Sequence, residues 1–495
     1  MPATAIHQQN RFIGIDTSLG SDVLGLAAFS GYEELGRPFR FEAELTSDNF
    51  RINFDDIVGQ KVCIRLETSQ GQRYFHGYVS QFTQLTSHKN YAQYHATIVP
   101  WLWLLTRSAD CYIFQNKTVP QILQDVFKRC GVAEFELRLS GNYSPLDYCV
   151  QYRETDFNFV SRLMEQEGIY YFFKHEKTKH TMVLADSASA HTANPGYDKI
   201  SYRPERTGKA DSEHILNWTV SEEIQPGVFT HTDYNFETPS KSLLTQNKIK
   251  RKYGFADFEI FDYPGGYSET NDGDRHAKIR IQEIQAPYET LEGEADARGI
   301  CVGSTFTLQD YPRADQNKSY LIKSTHHSAH AGKFESGSHG GDGQTYHSSF
   351  AAFDTAEIFR PQRTTPKPLI HGIQTAIVTG PAPQEIYVDK YGRVKVQFYW
   401  DRVGKNDENS SCWVRVSQVW TGKNWGHIAN PHIGQEVIVA FLEGDPDQPI
   451  IVGRVYNGDN MPPYPLPQAS ATIGAKSEST KTTDKYNIAT VKKQK

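Results

Sequence analysis

The most regular pattern in the chain lies within residues 380–466. Apolar and polar positions alternate there, so Val394, Val396, Phe398 and Trp400 share one face and Lys395, Gln397 and Tyr399 the other. A period of two marks a strand with one buried side. Residues 413–420 and 437–442 have strand length and β-branched composition, and Gly444-Asp445-Pro446-Asp447 supplies a turn. Short strands joined by turns, with no room for a helical layer, predict a small closed barrel. The same alternation predicts strands at residues 39–45, 61–66 and 91–99.

The period changes after residue 117. Thr118-Val119-Pro120-Gln121 reads as a helix start: a Thr N-cap, an early Pro, and Gln three positions on to complete a capping box. Ile122, Leu123, Val126 and Phe127 fall on one helical face, and Gly131 can close the helix in a left-handed conformation. A second helix is predicted over 155–167, with Phe157, Phe159, Val160, Leu163 and Met164 as its stripe and Gly168 as its stop. Strands at 169–173 and 181–184 follow, joined by a charged turn over 175–180. Residues 210–360 read as strands with polar loops. Residues 332–345 are Gly- and Ser-rich and read as a mobile loop. Residues 360–368, RPQRTTPKP, read as an extended linker. The polar, Lys-rich stretch after Pro467 is expected to be disordered in isolation. The expectation is a mainly β protein with two short helices in its first third.

A chain of 495 residues is too long for one core, so two to four domains are expected. Its 52 basic and 58 acidic side chains leave a net charge of -6, which gives no electrostatic case for nucleic acid or an anionic membrane. Apolar runs stay far below a membrane span. No basic start followed by an apolar core opens the chain, so cytoplasmic synthesis and exit without a cleaved leader are expected. Cys63, Cys111, Cys130, Cys149, Cys301 and Cys412 are scattered without CxxC pairing, which argues against a zinc ribbon or a disulfide framework.

Motifs for hydrolysis or phosphate binding are missing: there is no Gly-x-Ser-x-Gly, no GxxxxGK[ST] and no HExxH. His326, His327 and His330, with His339 and His347 nearby, form the densest histidine group. They have no carboxylate or thiol partner at a recognisable spacing, and are expected at a polar strand end and loop. Asp445 and Asp447 could pair as carboxylates but read more simply as turn residues. Trp400, Trp413, Trp420 and Trp425 could stack bases. But residues 375–460 hold eight Lys/Arg against ten Asp/Glu, so core or subunit-interface positions are expected, for Trp413 and Arg415 in particular. No catalytic, cofactor-binding or metal-binding residue is assigned.

The run QYRETDFNFVSRLMEQEGIYYFF at 151–173 resembles the signature helix and strand of VgrG proteins, the trimeric spikes of type VI secretion related to contractile-tail phage hubs. The resemblance continues through VPWLWLL at 99–105, FDYPGG at 261–266, residues 360–368, DKYGRVKVQFYWDR at 389–402, SSCWVRV at 410–416 and EGDPDQP at 443–449. It covers about residues 10–466 in order. It implies a hub over 1–370 made of two related barrel-like β domains split near 185, with the helices within 118–168. An oligonucleotide/oligosaccharide-binding (OB) type barrel over 371–467 and a tail over 468–495 that starts a needle and is cut short would follow. His432 stands where relatives commonly carry Arg. The resemblance further implies a non-enzymatic homotrimer and no cofactor. Its implied partners are the hexameric Hcp tube and effector or tip proteins, not nucleic acid, with transient target-membrane contact when a needle is present. Assembly in the cytoplasm would precede secretion. A cell-wall hydrolase spike and a carbohydrate- or nucleic-acid-binding barrel are the alternatives.

Overall fold

The computed structural model describes residues 7–9, 11–86, 91–204, 213–332, 344–478 and 486–491. The Gly- and Ser-rich stretch expected to be a mobile loop lies almost wholly outside them. The chain forms two compact units. One comprises Met1–Ser108, Leu123–Ser144 and Val160–Pro366, the other Ala109–Ile122, Pro145–Phe159 and Lys367–Lys495.

In the first unit, thirteen strands form one sheet. Arg37–Ser47 shows why: Phe39, Phe41, Ala43 and Leu45 are buried while Arg40 and Glu44 face outward. N-terminal strands join those of residues 289–354 where Gly25–Glu34 runs antiparallel to Ser319–Ala331, from Ala28 opposite His330 to Glu34 opposite Ser324. Trp218 packs among Phe306, Tyr320 and Phe350 at the centre of one core. A smaller sheet pairs Tyr170–His175 with His180–Ala185, the hairpin expected from sequence, and adds Phe135–Arg138.

Both predicted helices form. Val119–Cys130 carries the capping box, Gln121 N–H donating to Thr118 Oγ1 at 3.4 Å and Thr118 N–H to Gln121 Oε1 at 2.9 Å. Asp156–Glu167 ends at Gly168, whose φ is +68°.

A short helix, Trp101–Leu104, adds to the two expected in the first third, and a longer one, Thr270–Gln285, corrects the reading of 210–360 as strands and loops. Its buried face carries His276, Arg280, Gln282 and Gln285 beside Ala277, Ile279 and Ile281, so its apolar period is broken by polar groups. Those groups have partners. Arg280 donates to the carbonyls of Glu165 (2.8 Å) and Gln166 (2.9 Å), satisfying the free C-terminal end of the second helix. Arg275 pairs with Glu167.

Residues 360–366 have no regular structure, as expected, but they are no loose linker. Arg360 donates to the carbonyls of Gly168 (2.8 Å) and Asp186 (2.9 Å) and to Gln282 Oε1 (2.9 Å). The Glu165 carboxylate accepts from Arg37 (3.2 Å) and from the backbone N–H groups of Thr364 (3.0 Å) and Thr365 (2.9 Å).

In the second unit, five strands run in the order Lys395–Phe398, Gln374–Thr379, Glu436–Phe441, Pro449–Arg454, Arg415–Val416. An isolated bridge between Val394 and Val414 joins the two ends, closing the barrel. Val394, Val396, Phe398, Val437, Val439 and Ile451 fill it. Of the strand expected over 413–420 only Arg415–Val416 forms, because the following residues turn into a separate hairpin. Gln397, expected to face outward, is buried; its Nε2 donates to Asp401 O at 2.9 Å. Ala109–Phe114 pairs with Cys149–Thr155, and Ile113 and Tyr152 pack on the barrel core. Within the tail expected to be disordered in isolation, Ile473–Glu478 runs antiparallel to Tyr486–Val491 in this chain.

Candidate functional site

The histidine group does not converge. His326, His327 and His330 lie within Ser319–Ala331, a central strand of the large sheet, with His330 alone near the strand end expected for the group. Alternation leaves His326 and His330 exposed and buries His327 completely. His347 is exposed on Gln344–Asp354, and His339 lies outside the described residues. His327 Nδ1 meets the Tyr346 hydroxyl at 2.9 Å, and its Nε2 lies 3.3 Å from Arg73 and 3.6 Å from Glu33. Burial and the Arg73 charge push His327 down to about 4. Burial alone would raise Glu33, yet the hydrogen bond from His175 and the nearby His327 and Arg73 hold it well below the usual carboxylate range. Among the described residues no group of three or more His, Cys, Asp or Glu is arranged to hold a metal ion.

Asp445 and Asp447 are turn residues. Asp447 N–H donates to Asp445 Oδ1 at 2.9 Å. Lys367 Nζ sits between the carboxylates, 2.6 Å from Asp445 and 2.7 Å from Asp447, and Val150 N–H donates to the other Asp447 oxygen at 2.6 Å. Two carboxylates already bound to an ammonium and a backbone donor form a brace, not an acid–base pair.

The tryptophans divide. Trp400 packs against Phe398 and donates its ring N–H to Gln374 at 2.9 Å. Trp413 is half-buried beside Tyr387, with Lys395 Nζ 5.2 Å from its ring centre. Arg415 is exposed, so the barrel core is not its place. Trp420 and Trp425 are 63% and 57% exposed on the hairpin Thr421–Gly422/Trp425–Gly426, their ring centres 5.0 Å apart, and Val419 (90%) and Ile428 (72%) flank them. Clustered exposed apolar side chains of this size mark a contact surface. The first unit has its own cluster, missed in the sequence. Phe255, Phe258, Phe261 and Tyr263 are exposed on and around Glu259–Asp262, an edge strand of a three-stranded sheet whose four residues all face solvent. The signal was present as FADFEIFDY, aromatics interleaved with acids.

Comparison with known proteins matches residues 32–333 to the phage tail baseplate hub (GPD) family and residues 378–456 to the type VI secretion system/phage-baseplate injector OB domain. The Pseudomonas aeruginosa type VI secretion system spike protein VgrG1b is 46% identical over 478 residues, 96% of this chain and 64% of that protein. VgrG1a of the same organism is 46% identical over 475 residues, 96% of this chain and 74% of its own length. The chain thus spans just under two thirds of the first relative. The solved E. coli c3393 protein is described as a type VI secretion component similar to the T4 phage tail proteins gp27 and gp5. It shares the fold with TM-score 0.65 and 22% identity, over 89% of this chain and 99% of that one.

Proposed function

Since the chain belongs to the VgrG family of type VI secretion spike proteins, we propose that it acts as a homotrimeric, non-enzymatic spike hub. In this reading three copies cap the Hcp tube, transmit thrust, and carry effector or tip proteins. Delivery follows assembly in the cytoplasm, and the target membrane is met when a needle is present. The observation that carries the reading is the pairing, in order and on one chain, of a hub-type sheet unit with a closed five-stranded barrel, each bearing exposed aromatics. A trimer that transmits thrust needs large contacts with apolar centres, on the order of 2,000 Å² or more, and Val419, Trp420, Trp425 and Ile428 suit such a contact. The same tryptophans would suit base or sugar stacking, a second reading that salt-dependent binding of single-stranded DNA would favour. Light scattering after size exclusion tests the first. A trimer has three times the 56.2 kDa chain mass, about 169 kDa, and a stable monomer at micromolar concentration contradicts it.

A further inference from the structure

One buried polar chain in the first unit has no role in the reading above. His180 Nε2 accepts from the Trp101 backbone N–H at 2.9 Å. His180 and His76 face each other, Nδ1 to Nδ1, at 2.9 Å. The His76 backbone N–H donates to His175 Nδ1 at 3.1 Å, and His175 Nε2 lies 3.2 Å from Glu33 Oε1. The other Glu33 oxygen faces Arg73 at 3.5 Å and His327 at 3.6 Å. The groups come from two sheets. Glu33, Arg73, His76 and His327 belong to the large one, and His175 and His180 to the hairpin of Tyr170–His175 and His180–Ala185.

The geometry fixes the protons. Trp101 N–H can only donate, so His180 Nε2 carries no hydrogen. His180 then holds its proton on Nδ1 and donates it to His76 Nδ1, which leaves the His76 proton on Nε2. A further proton on either ring would set two N–H groups against each other, at the Nδ1 contact or at Trp101. Lys61 and His175 are the titratable groups acting on the pair, and both disfavour added positive charge. Phe39, Phe173 and Tyr78 cover His180 with ring faces and edges. At the far end Arg73, Glu33 and Tyr346 face His327, and His326 acts on it from the opposite face of the strand.

We propose that this chain is an acid-opened clasp: protonation of His76 and His180 below about pH 6 releases the hairpin of residues 170–185 from the large sheet. Burial sets the direction, lowering His76 to about 4 and His180 to about 2. Both values lie below the ordinary histidine value, so the open form binds more protons. The closed form is therefore fully favoured above about pH 6.5 and loses ground as pH falls toward 4. Glu33, held low, stays ionised throughout this window. Each histidine kept neutral raises the opening constant about 30-fold between pH 7.5 and 5, about 10³-fold for the pair.

Hydrogen exchange of the full chain, read by mass spectrometry and corrected for the intrinsic pH dependence of exchange, tests this. Between pH 7.5 and 5.0 the opening of peptides spanning 170–185 should rise about 10²- to 10³-fold, while peptides of the barrel strands 374–398 stay level. In the H76Q/H180Q variant, whose amides keep a donor and an acceptor but do not titrate, the rise should vanish. A flat wild-type profile, an equal rise in the barrel, or an unchanged rise in the double variant overturns the proposal. The wild-type profile decides alone if the variant does not fold. Because the readout is local opening, it is independent of the spike assignment.

Discussion

Replacing Arg360 with methionine should loosen the C-terminal end of the helix Asp156–Glu167. The methionine stem keeps most of the packing, but three donated hydrogen bonds are lost, to Gly168 O, Asp186 O and Gln282 Oε1. Gly168 follows the helix, where carbonyls depend on partners from outside it. Gly168 and Asp186 are buried, and each carbonyl stripped of its donor costs about 1–3 kcal/mol. Against that loss, methionine avoids burying a charge, a cost visible in the lowered Arg360 pKa, whose main cause is desolvation. The net expectation is a loss of about 3 kcal/mol. Urea unfolding followed by tryptophan fluorescence and circular dichroism would read it as a fall in midpoint of about 1 M, for an m-value of roughly 3 kcal/mol/M. R360K keeps the charge but not the planar fork, and should fall between the two. A midpoint for R360M within about 0.2 M of the wild type would refute the view that this segment is pinned by its guanidinium.

Three further expectations follow from local geometry. Gly168→Ala places a Cβ 2.8 Å from Ile279 Cγ2 and 2.9 Å from Arg360 Cδ at a φ of +68°, so a loss of about 2–3 kcal/mol is expected; an unchanged melting temperature contradicts it. Asp447→Asn weakens the Lys367 brace and should destabilise the barrel unit by about 1–2 kcal/mol, read as faster hydrogen exchange at Pro449–Arg454; exchange there at the wild-type rate counts against the brace. V419S/W420S should shift the light-scattering mass from trimer toward monomer with circular dichroism intact, and a wild-type trimer at low micromolar concentration would remove the hairpin from the interface.

What could be read in the sequence depended on whether a residue's partners were near it in the chain. Thr118 and Gln121 satisfy each other within one helical turn, so the capping box was legible and the helix begins there. Phe39, Phe41, Ala43 and Leu45 alternate with polar residues because one side of their sheet meets a core, and that strand too was legible. The helix Thr270–Gln285 was not. Its inward face spends positions on Arg280 and Gln282, whose partners Glu165 and Arg360 are remote in sequence. His327 was read as part of a loose histidine group, because neither Glu33 nor Tyr346 is near it in the chain. The pairing of residues 109–122 and 145–159 with the barrel in one unit was equally hidden. It rests on contacts such as Tyr152 with Trp400 and Val150 with Asp447. The exposed tryptophan hairpin was half legible. Composition pointed to Trp420 and Trp425, but only the structure separates them from the packed Trp400.

In the proposed assembly three copies of this chain cap a hexameric tube. Sedimentation equilibrium of the purified chain mixed with Hcp rings measures it most directly. The expected result is a complex of three chains per ring, with no free monomer at saturating ring. Chains that sediment alone, or a stoichiometry that does not reach three, would contradict it.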